Sequence, residues 1–501
     1  MRRSPRNLRI ACNQRGLTHY GGVCFFHEFI QVLQLRRFLC RHLIYPRRNQ
    51  RYTLSQMTLA LVYPILLGLG RIETASFLRS NGTFQYLTGL PDYPDPQTLR
   101  RFLSGAPPDF RHQLHRINNR LQQQFIHRPG HRSRLILDLD STVVTVFGHQ
   151  EQAAVGYNPR YRGKRSYNPL LCLEANSSLL WDTELRAGNA GTWEGSVELL
   201  ASCFENLPPD VRELRLRADA GFGYNPVLDM LEARPAQYAV VARMTAGLKR
   251  KLGGLGYERC HPRWEIAELE LRPHGWSQGR RFIVARRRIE ATEPEPTLFN
   301  LNRYLYRAWV TNLPLTPAGV WHFYDGRAGM EPRIYELREN FALRKIPSGD
   351  FAANALYLEV IRLAHNLVTS FQQTCLPQDW QDLTLGTLRY RLFWLPGELT
   401  RPQNRPTLRL ADSPMIRTWT EQILTRIHKL KPLQGRSHPG EKSSTAAQNS
   451  REKPNFRPFL TAPLAFHAGS GLYGYGASIA RLLYGTCTAL ARLFTGPAQA
   501  T

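Results

Sequence analysis

Two kinds of hydrophobic pattern divide the chain. Residues 1 to about 128 hold amphipathic or fully apolar runs, such as "FFHEFIQVLQLRRFL" and "LSQMTLALVYPILLGLG", and both patterns predict helices. The second run is shorter than about 20 residues and contains Gln56 and Pro64, so it predicts a core helix rather than a membrane span. The segment "PDPQTLRRFLSG" combines helix start signals with a basic face. It fits a DNA-recognition helix and an ordinary solvated helix equally well.

The pattern changes at Arg134, where alternating segments rich in Val, Leu and Ile begin. "RLILDLDSTVVTVFG", "YNPLLCLEA" and "SLLWDTELRAGN" predict strands. Helix and strand patterns then alternate through "WEGSVELLASCFENL", "VRELRLRAD", "NPVLDMLEARP" and "QYAVVARM". Strands combined with helices in a mixed sheet predict an α/β core.

The remaining sequence predicts an interruption of this core and a tail. From about Thr245 to Leu313 the pattern is mostly strand, and helices return from Tyr324. Beyond about Pro432 the chain is polar, charged and low in apolar residues, so disorder is expected. The predicted parts are a helical N-terminal DNA-binding region (1–128), a core in two pieces (129–244 and 314–395), a β-rich insertion between them (245–313), a strand and helix region (396–432) and the tail (433–501).

The charge of the chain indicates its class of partner. Its 501 residues include 66 basic and 39 acidic side chains, for a formal net charge of +27 and a pI of about 10.2. Such an excess favours nucleic acid over a merely soluble basic surface. The eight cysteines contain no C-x-x-C pair, which argues against a zinc ribbon and fits a reducing compartment. The basic N-terminus lacks the apolar stretch of a signal peptide, so a cytoplasmic protein is expected.

Three acidic positions carry the candidate chemistry. The first predicted strand places Asp138 and Asp140 on one face of a segment suited to burial, where carboxylates are costly unless paired or bound to metal. Asp219 ends a strand before a Gly-rich turn, where an Asp is often only a turn cap. Glu331 lies at helical spacing from Arg327, so an ion pair is its simplest role.

Together these carboxylates predict a divalent-metal site. Two aspartates at adjacent strand ends and one glutamate on a later helix can converge on one point. Hard oxygen ligands of this kind suit Mg²⁺ or Mn²⁺ rather than zinc. Two such ions about 4 Å apart support in-line phosphoryl transfer, and the basic surface would then hold a polyanionic substrate.

Four stretches resemble the DDE transposases of bacterial insertion sequences (group 1), in the branch with a Tyr-Arg-Glu-Lys signature. They are "LDLDST", "GHQEQAAVGYNPRYRGKRSYNPLL", "LRADAGF" and the Y-x2-R-x3-E spacing at Tyr324, Arg327 and Glu331. The helix pattern "FAANALYLEVIRLAHNL" that follows is also similar. The similarity runs from about Gly16 to about Leu430 and leaves out the last seventy or so residues.

The resemblance implies an RNase H-like mixed sheet core, with the β-strand insertion between the second Asp and the Glu and a helical region before it. It also implies Asp140, Asp219 and Glu331 as the catalytic residues and as ligands of two Mg²⁺ or Mn²⁺ ions. The position within "LDLDST" favours Asp140 as the first acid. Asp138 stays the alternative because it shares the same strand face.

The signature also implies phosphate contacts. Tyr324 and Arg327 are implied to hold DNA phosphates beside the metal, the arginine as a bidentate clamp. The signature lysine is Arg338 here, which keeps a charge with a different geometry. Pro332 directly follows Glu331 and favours a helix that begins near it, so the sequence does not fix where Glu331 points.

A basic segment interleaved with tyrosines is predicted to contact DNA. The aromatic residues suit base stacking and the basic residues suit phosphates, although a solvated basic hairpin is the alternative. The residues are Arg160, Arg162, Lys164 and Arg165, with Tyr157, Tyr161 and Tyr167 between or beside them.

The resemblance thus implies a DNA transposase that excises and integrates an insertion sequence by metal-dependent phosphodiester hydrolysis and strand transfer. Its implied partners are terminal inverted repeats and target DNA, which it binds as a homodimer in the nucleoid and without a membrane. Two alternatives stay open: a decayed transposase that only binds DNA, and an RNase H-like nuclease that cuts without joining.

Overall fold

A helical N-terminal part and one long mixed sheet make up the chain. The structure, a computed structural model, describes residues 11–47, 50–126, 133–289, 300–301 and 304–433. Residues 1–436 form one unit and residues 437–501 a second, which lies wholly outside the described residues. The predicted tail and the disorder expected there therefore fall almost entirely outside the described residues.

The N-terminal part is helical, as its hydrophobic pattern predicts. Its elements are β1 (Leu17–Thr18), α1 (Val23–Val32), α2 (Leu35–His42), α3 (Leu54–Leu67), α4 (Ser76–Arg79), α5 (Gly82–Leu87), α6 (Pro96–Ser104) and α7 (Pro108–Ile126). A capping box of Thr53 and Gln56 starts α3, and Gly68 ends it with a φ of 82°, a conformation that glycine adopts without strain. Nearly all of α3 is buried, because its apolar residues cover every face of the helix.

Helix α6 begins where its start signals predict. The Asp95 carboxylate accepts a hydrogen bond from the Gln97 amide, and Pro96 occupies the first helical position. On its basic face, Arg100 pairs with Glu73 and donates to the Pro347 carbonyl. A DNA-recognition role for this helix stays a prediction.

The α/β part follows the predicted order of strands and helices. Its first elements are β2 (Arg134–Ser141), β3 (Val144–Thr145), β4 (Ala154–Val155), β5 (Arg165–Tyr167), β6 (Leu170–Glu174), β7 (Leu180–Glu184), α8 (Ser196–Glu205), β8 (Glu213–Ala218), α9 (Asn225–Ala233) and β9 (Ala236–Val241). Strands β7, β6, β2, β8 and β9 lie side by side in that order. Strand β6 is antiparallel to both of its neighbours, β7 and β2, whereas β2, β8 and β9 are parallel.

The strand-rich segment expected after about residue 245 extends the same sheet. Its elements are α10 (Ala246–Leu252), β10 (Glu258–His261), β11 (Trp264–Leu271), β12 (Arg280–Arg288), β13 (Asn300–Leu301) and β14 (Tyr304–Thr311). Strand β14 pairs antiparallel with β9, with Trp309 opposite Val241, and β12, β11 and β10 follow outward. The sequence predicts these strands but not their continuity with the core sheet.

Helices return in the last described part. The elements are α11 (Pro317–Asp325), α12 (Met330–Glu339), α13 (Phe351–Cys375), α14 (Leu385–Leu388), β15 (Gly397–Thr400), β16 (Thr407–Leu410) and α15 (Pro414–His428). Helix α13 is buried along most of its length and packs against α3, α7, α15 and β7, so it joins the N-terminal helices to the sheet. Strand β1 pairs with β15, which brings the two ends of the described chain together.

No single helix among the described residues is long and apolar enough to cross a membrane. One bent pair, Leu54–Leu67 with Ile72–Arg79, passes by length and composition, with a 101° bend between the two parts.

Candidate active site

Asp140 and Asp219 meet at one edge of the sheet. Strands β2 and β8 run parallel with Leu139 level with Ala218, so the residues that follow extend from the same edge. Asp219 accepts a hydrogen bond from the Gly221 amide at 2.9 Å, the turn cap that its position predicts. Burial chiefly, with the Asp219 charge adding to it, raises the pKa of Asp140 to about 6 against the opposing charge of Arg327.

Arg327 and Tyr324 join these two carboxylates. The Arg327 Nη2 lies 2.7 Å from Asp140 Oδ2 and 3.4 Å from the Leu139 carbonyl oxygen. Its Nε is buried without a hydrogen-bond partner in the described part of the chain. Burial raises the pKa of Tyr324, and the neighbouring Arg327 charge opposes that rise. The structure thus brings four of the predicted site residues together.

Glu331 lies at the beginning of α12, beyond a break in the helix. Helix α11 ends at Asp325, a 3₁₀ turn covers Gly326–Gly329, and α12 begins at Met330. Pro332 is the third residue of α12, where a missing amide proton costs little. The Glu331 side chain is exposed and makes no hydrogen bond or ion pair with the described residues. Its place in a shared metal site stays a prediction.

Asp138 has a structural partner. Both of its oxygens bind Arg217, at 2.6 Å to Nε and 2.8 Å to Nη2, and both side chains are buried. Arg217 also donates to the Phe323 carbonyl at 3.0 Å, which ties β2 and β8 to α11. Because this carboxylate is already neutralised by a bidentate pair, the geometry favours Asp140 over Asp138 as the first acid.

A basic groove of about 910 Å³ begins next to Asp140. It runs from Ser141 and Thr142 between the β3–β5 hairpins and the segment after α12. Arg160 and Arg338 both line it, and the Nε of Arg338 is buried without a partner in the described residues. Arg162, Lys164 and Arg165 are exposed near the tip of the hairpin and are not part of the lining.

Tyr167 does not share the surface of the other tyrosines. It is fully buried, and its hydroxyl donates to the Glu151 carbonyl at 2.6 Å. Tyr157 and Tyr161 are exposed in the loop before it, as the interleaved pattern predicts. Tyr167 therefore anchors the hairpin instead of facing DNA.

Another cluster of potential metal ligands lies elsewhere in the fold. Ligand atoms of His115, Asp182 and Glu359 are all within 4.8 Å of one another. The fully buried Arg362 places Nη1 3.2 Å from Asp182 and 3.6 Å from Glu359. Arg362 and protonated His115 together balance the two carboxylate charges, so the cluster is a salt-bridged network that ties α7 and β7 to α13.

The Asp140–Asp219 pair fits a divalent cation better. Both ligand groups are hard carboxylate oxygens, and the pKa of Asp140 is raised because the site is buried and holds a second negative charge. Arg327 forms the ion pair with Asp140. Carboxylate oxygens are the donors that Mg²⁺ and Mn²⁺ prefer, and a metal bound by Asp140 and Asp219 stays a prediction.

An aromatic stack beside Asp219 is absent from the sequence prediction. Trp193 and Tyr224 have ring centroids 5.3 Å apart, and the Arg243 guanidinium lies 4.2 Å from the Tyr224 centroid. Arg243 also donates to the Ala220 carbonyl, one residue after Asp219. These three residues come from three separate loops, so no single stretch of sequence contains the group. The one signal in the sequence is Trp193, which lies in a Gly-rich segment.

Comparison with known proteins identifies the family. No curated protein matches the chain. A solved structure described as the cryo-EM structure of a piggyBac transposase synaptic complex with hairpin DNA aligns with a TM-score of 0.41 and 12% identity, covering 76% of this chain and 82% of that one. Residues 2–432 match the model of the family described as transposase DDE domain group 1. The chain therefore belongs to the group 1 family of DDE transposases.

Proposed function

We propose that this protein is a DNA transposase of a bacterial insertion sequence, in the branch with the Tyr-Arg-Glu-Lys signature. The observation that carries the proposal is the meeting of Asp140 and Asp219 at one sheet edge, with Arg327 against them, in a chain of this family. The strand order β7-β6-β2-β8-β9 supports an RNase H-like core. Strands β10 to β14 would be its insertion, between Asp219 and Glu331.

Asp140 and Asp219 would hold two Mg²⁺ or Mn²⁺ ions, with Glu331 completing the site. A divalent ion there supplies Lewis-acid activation for phosphodiester hydrolysis and strand transfer. Glu331 follows Arg327, which contacts Asp140, by four residues, and its carboxylate would turn toward the same edge to complete the site. Its exposure and lack of partners leave it free to do so.

The basic residues would bind the DNA backbone. Arg327 would exchange its contact with Asp140 for a phosphate, and Tyr324 would position that phosphate. Arg160 and Arg338 in the basic groove, with Arg162, Lys164 and Arg165 at the hairpin tip, would hold flanking phosphates. The partners are terminal inverted repeats and target DNA, bound by a homodimer in the nucleoid and without a membrane.

A nicking assay on the element's own terminal repeats tests this function. Wild type is compared with Asp140→Asn, Asp219→Asn and Glu331→Gln in Mg²⁺ or Mn²⁺. We expect the wild type to cut and the three variants to bind DNA without cutting. Asp325→Asn is the matched control, since Asp325 is an exposed acid in the same segment, and we expect it to cut normally.

The same assay separates the alternatives. A wild type that binds DNA and cuts with neither metal is a decayed transposase, which contradicts the proposal. A wild type that cuts but never joins the freed end to a supplied target plasmid is a nuclease. If Glu331→Gln cuts as well as wild type, the third ligand is a different residue.

A further inference from the structure

Exposed aromatic side chains line the basic groove beside Asp140. Phe147 is 78% exposed and Tyr157 is 81% exposed, and Tyr161 lies next to them. Phe147 and Tyr161 meet edge to face with centroids 5.9 Å apart, and the Arg160 guanidinium lies 5.7 Å from the Tyr161 centroid. Large rings left uncovered and clustered in one groove indicate a binding surface.

The groove is also strongly positive. Its one lining carboxylate, Glu73, is paired with Arg100. Burial, the Arg344 charge and the Arg160 charge lower the pKa of Arg338, which shows how closely the cations crowd. The basic side chains of the lining are Arg71, Arg160, Arg338, Arg344 and Lys345. The occupant must therefore be an anion that also presents flat apolar faces.

An unpaired DNA strand has both properties. Duplex DNA satisfies cations with its phosphates but keeps its base faces stacked inside the helix, where the aromatic rings cannot reach them. A single strand offers base faces to aromatic rings and phosphates to guanidiniums at the same time. The lining includes Ser141 and Thr142, the two residues after Asp140 in the chain, so a strand in the groove would lie near the proposed cleavage site.

We infer that the basic groove binds an unpaired DNA strand, with bases on Phe147, Tyr157 and Tyr161 and phosphates on Arg160 and Arg338. The inference rests on the proposed function and specifies the form of DNA that the site accepts. It assigns a purpose to Phe147, which no sequence motif includes. It also explains why the β3–β5 hairpins expose rings that a structural role would bury.

Binding of tailed DNA tests the inference directly. The full-length chain is titrated, without divalent ions and at one salt concentration, into three fluorescent probes. They are a blunt duplex, the same duplex with a single-stranded thymidine tail, and the same duplex with an abasic tail of equal length. Because bases stack on aromatic rings, we expect the thymidine tail to raise affinity about tenfold over the blunt duplex. The abasic tail keeps the phosphates without the bases, so it should give only the smaller part of this gain, the part that comes from the basic side chains.

Variants identify the surface responsible. Phe147→Ser and Tyr157→Ser should each lose most of the gain from the thymidine tail, measured as the ratio of tailed-duplex to blunt-duplex affinity of the same variant, whereas Tyr157→Phe should retain that ratio. Tyr390→Ser is the matched control, because Tyr390 is 75% exposed and lies outside the groove, and it should also retain the gain.

Three outcomes overturn the inference: no gain from the thymidine tail, an equal gain from the abasic tail, or an undiminished gain in both serine variants. None of them depends on cleavage. A chain that nicks DNA but shows no tail-dependent gain keeps the proposed function and loses the inference. A chain that shows the gain but never nicks keeps the groove assignment and loses the function.

Discussion

The guanidinium of Arg327 pairs with the carboxylate of Asp140, Nη2 to Oδ2 at 2.7 Å, where the ends of β2 and β8 meet. The contact spans nearly 190 residues of sequence and joins the turn between α11 and α12 to the core sheet. It also opposes the rise that burial and Asp219 impose on the pKa of Asp140. Arg327 is thus placed as a counter-charge for Asp140, while its buried Nε has no hydrogen-bond partner among the described residues.

Arg327→Gln should therefore lower cleavage and change its pH dependence. Without the guanidinium the pKa of Asp140 rises further, so the acid limb of the nicking rate moves to higher pH. Loss of a charge-assisted contact of about 1.5–3 kcal/mol corresponds to at least a tenfold fall in kcat/KM. The measurement is the nicking rate from acid to neutral pH, with Arg327→Lys as the charge-conserving comparison. An unchanged acid limb would show that Arg327 does not act through Asp140.

The buried Asp138–Arg217 pair predicts a different phenotype for the neighbouring acid. Asp138→Asn leaves the Arg217 charge buried without its partner, which typically costs about 3–5 kcal/mol of stability. Asp140→Asn breaks a single contact, that with Arg327, between side chains that are less buried than Asp138 and Arg217, so it should cost less stability than Asp138→Asn. Urea denaturation of the two variants measures the difference.

A double substitution provides the control for that effect. Asp138→Asn with Arg217→Met removes both charges and should regain much of the stability lost by Asp138→Asn alone. If Asp138→Asn folds as stably as wild type and fails to cut, Asp138 is the metal ligand and the choice of Asp140 is wrong.

Much of the site's position follows from local pattern. Alternation in "LDLDST" and "RLRAD" places each acid at a strand end, and parallel neighbours share that edge. The capping box and the apolar run predict α3 for the same reason, since each depends on residues a few positions apart. Where hydrogen bonds and packing join residues a few positions apart, the properties of those residues are enough to predict the element.

The features that the sequence did not predict depend on distant residues. Asp138 shares its strand face with Asp140, and the position of Arg217 on β8 decides which carboxylate forms the buried bidentate pair. In the sequence, Tyr167 is not distinguishable from the other tyrosines of its segment. In the structure it is buried, with its hydroxyl hydrogen-bonded to the Glu151 carbonyl and to Asn354 of α13. The break before α12, by contrast, is local: Pro332 favours a helix that begins near it, and the structure shows α12 beginning at Met330 after a 3₁₀ turn over Gly326–Gly329.

The His115–Glu359 network predicts a pH dependence of stability. Burial disfavours the charged form of Glu359, yet His115, Arg362 and Asn118 together lower its pKa from 4.5 to about 2. A lowered carboxyl pKa contributes stability that is complete above pH 4.5 and lost as the pH falls toward 2. The difference corresponds to about 3 kcal/mol.

His115 sets the upper pH limit of the stabilisation by this network. Burial lowers its pKa, but Glu359 outweighs that effect and the pKa is raised above 6.5. Its contribution is complete below pH 6.5 and is lost as the pH rises through the folded value. The network therefore stabilises the fold most between about pH 4.5 and 6.5.

Glu359→Gln should remove the part of the stability that wild type loses as the pH falls below 4.5. We expect its free energy of unfolding to be lower than that of wild type by about 3 kcal/mol at pH 6, with the gap closing as the pH falls below 4.5. Asp412→Asn is the control, because Asp412 belongs to an exposed pair with Arg417 and such pairs contribute little. A gap that stays constant with pH would contradict the role assigned to Glu359.

Gly221 predicts a steric constraint on the turn that follows Asp219. A Cβ at this position would lie 2.2 Å from Thr192 Cγ2 and 2.9 Å from Asp219 Oδ1, so Gly221→Ala must displace the Thr192 loop or the carboxylate. Overpacking of this kind costs about 1–3 kcal/mol of stability and should reduce nicking through the displaced Asp219.

Thr192→Ser removes the clashing methyl group and alone should change stability and nicking rate very little. The double variant Gly221→Ala with Thr192→Ser should therefore recover part of both losses, measured by urea denaturation and by nicking rate. A double variant no better than Gly221→Ala alone would mean that the Thr192 loop does not constrain the turn.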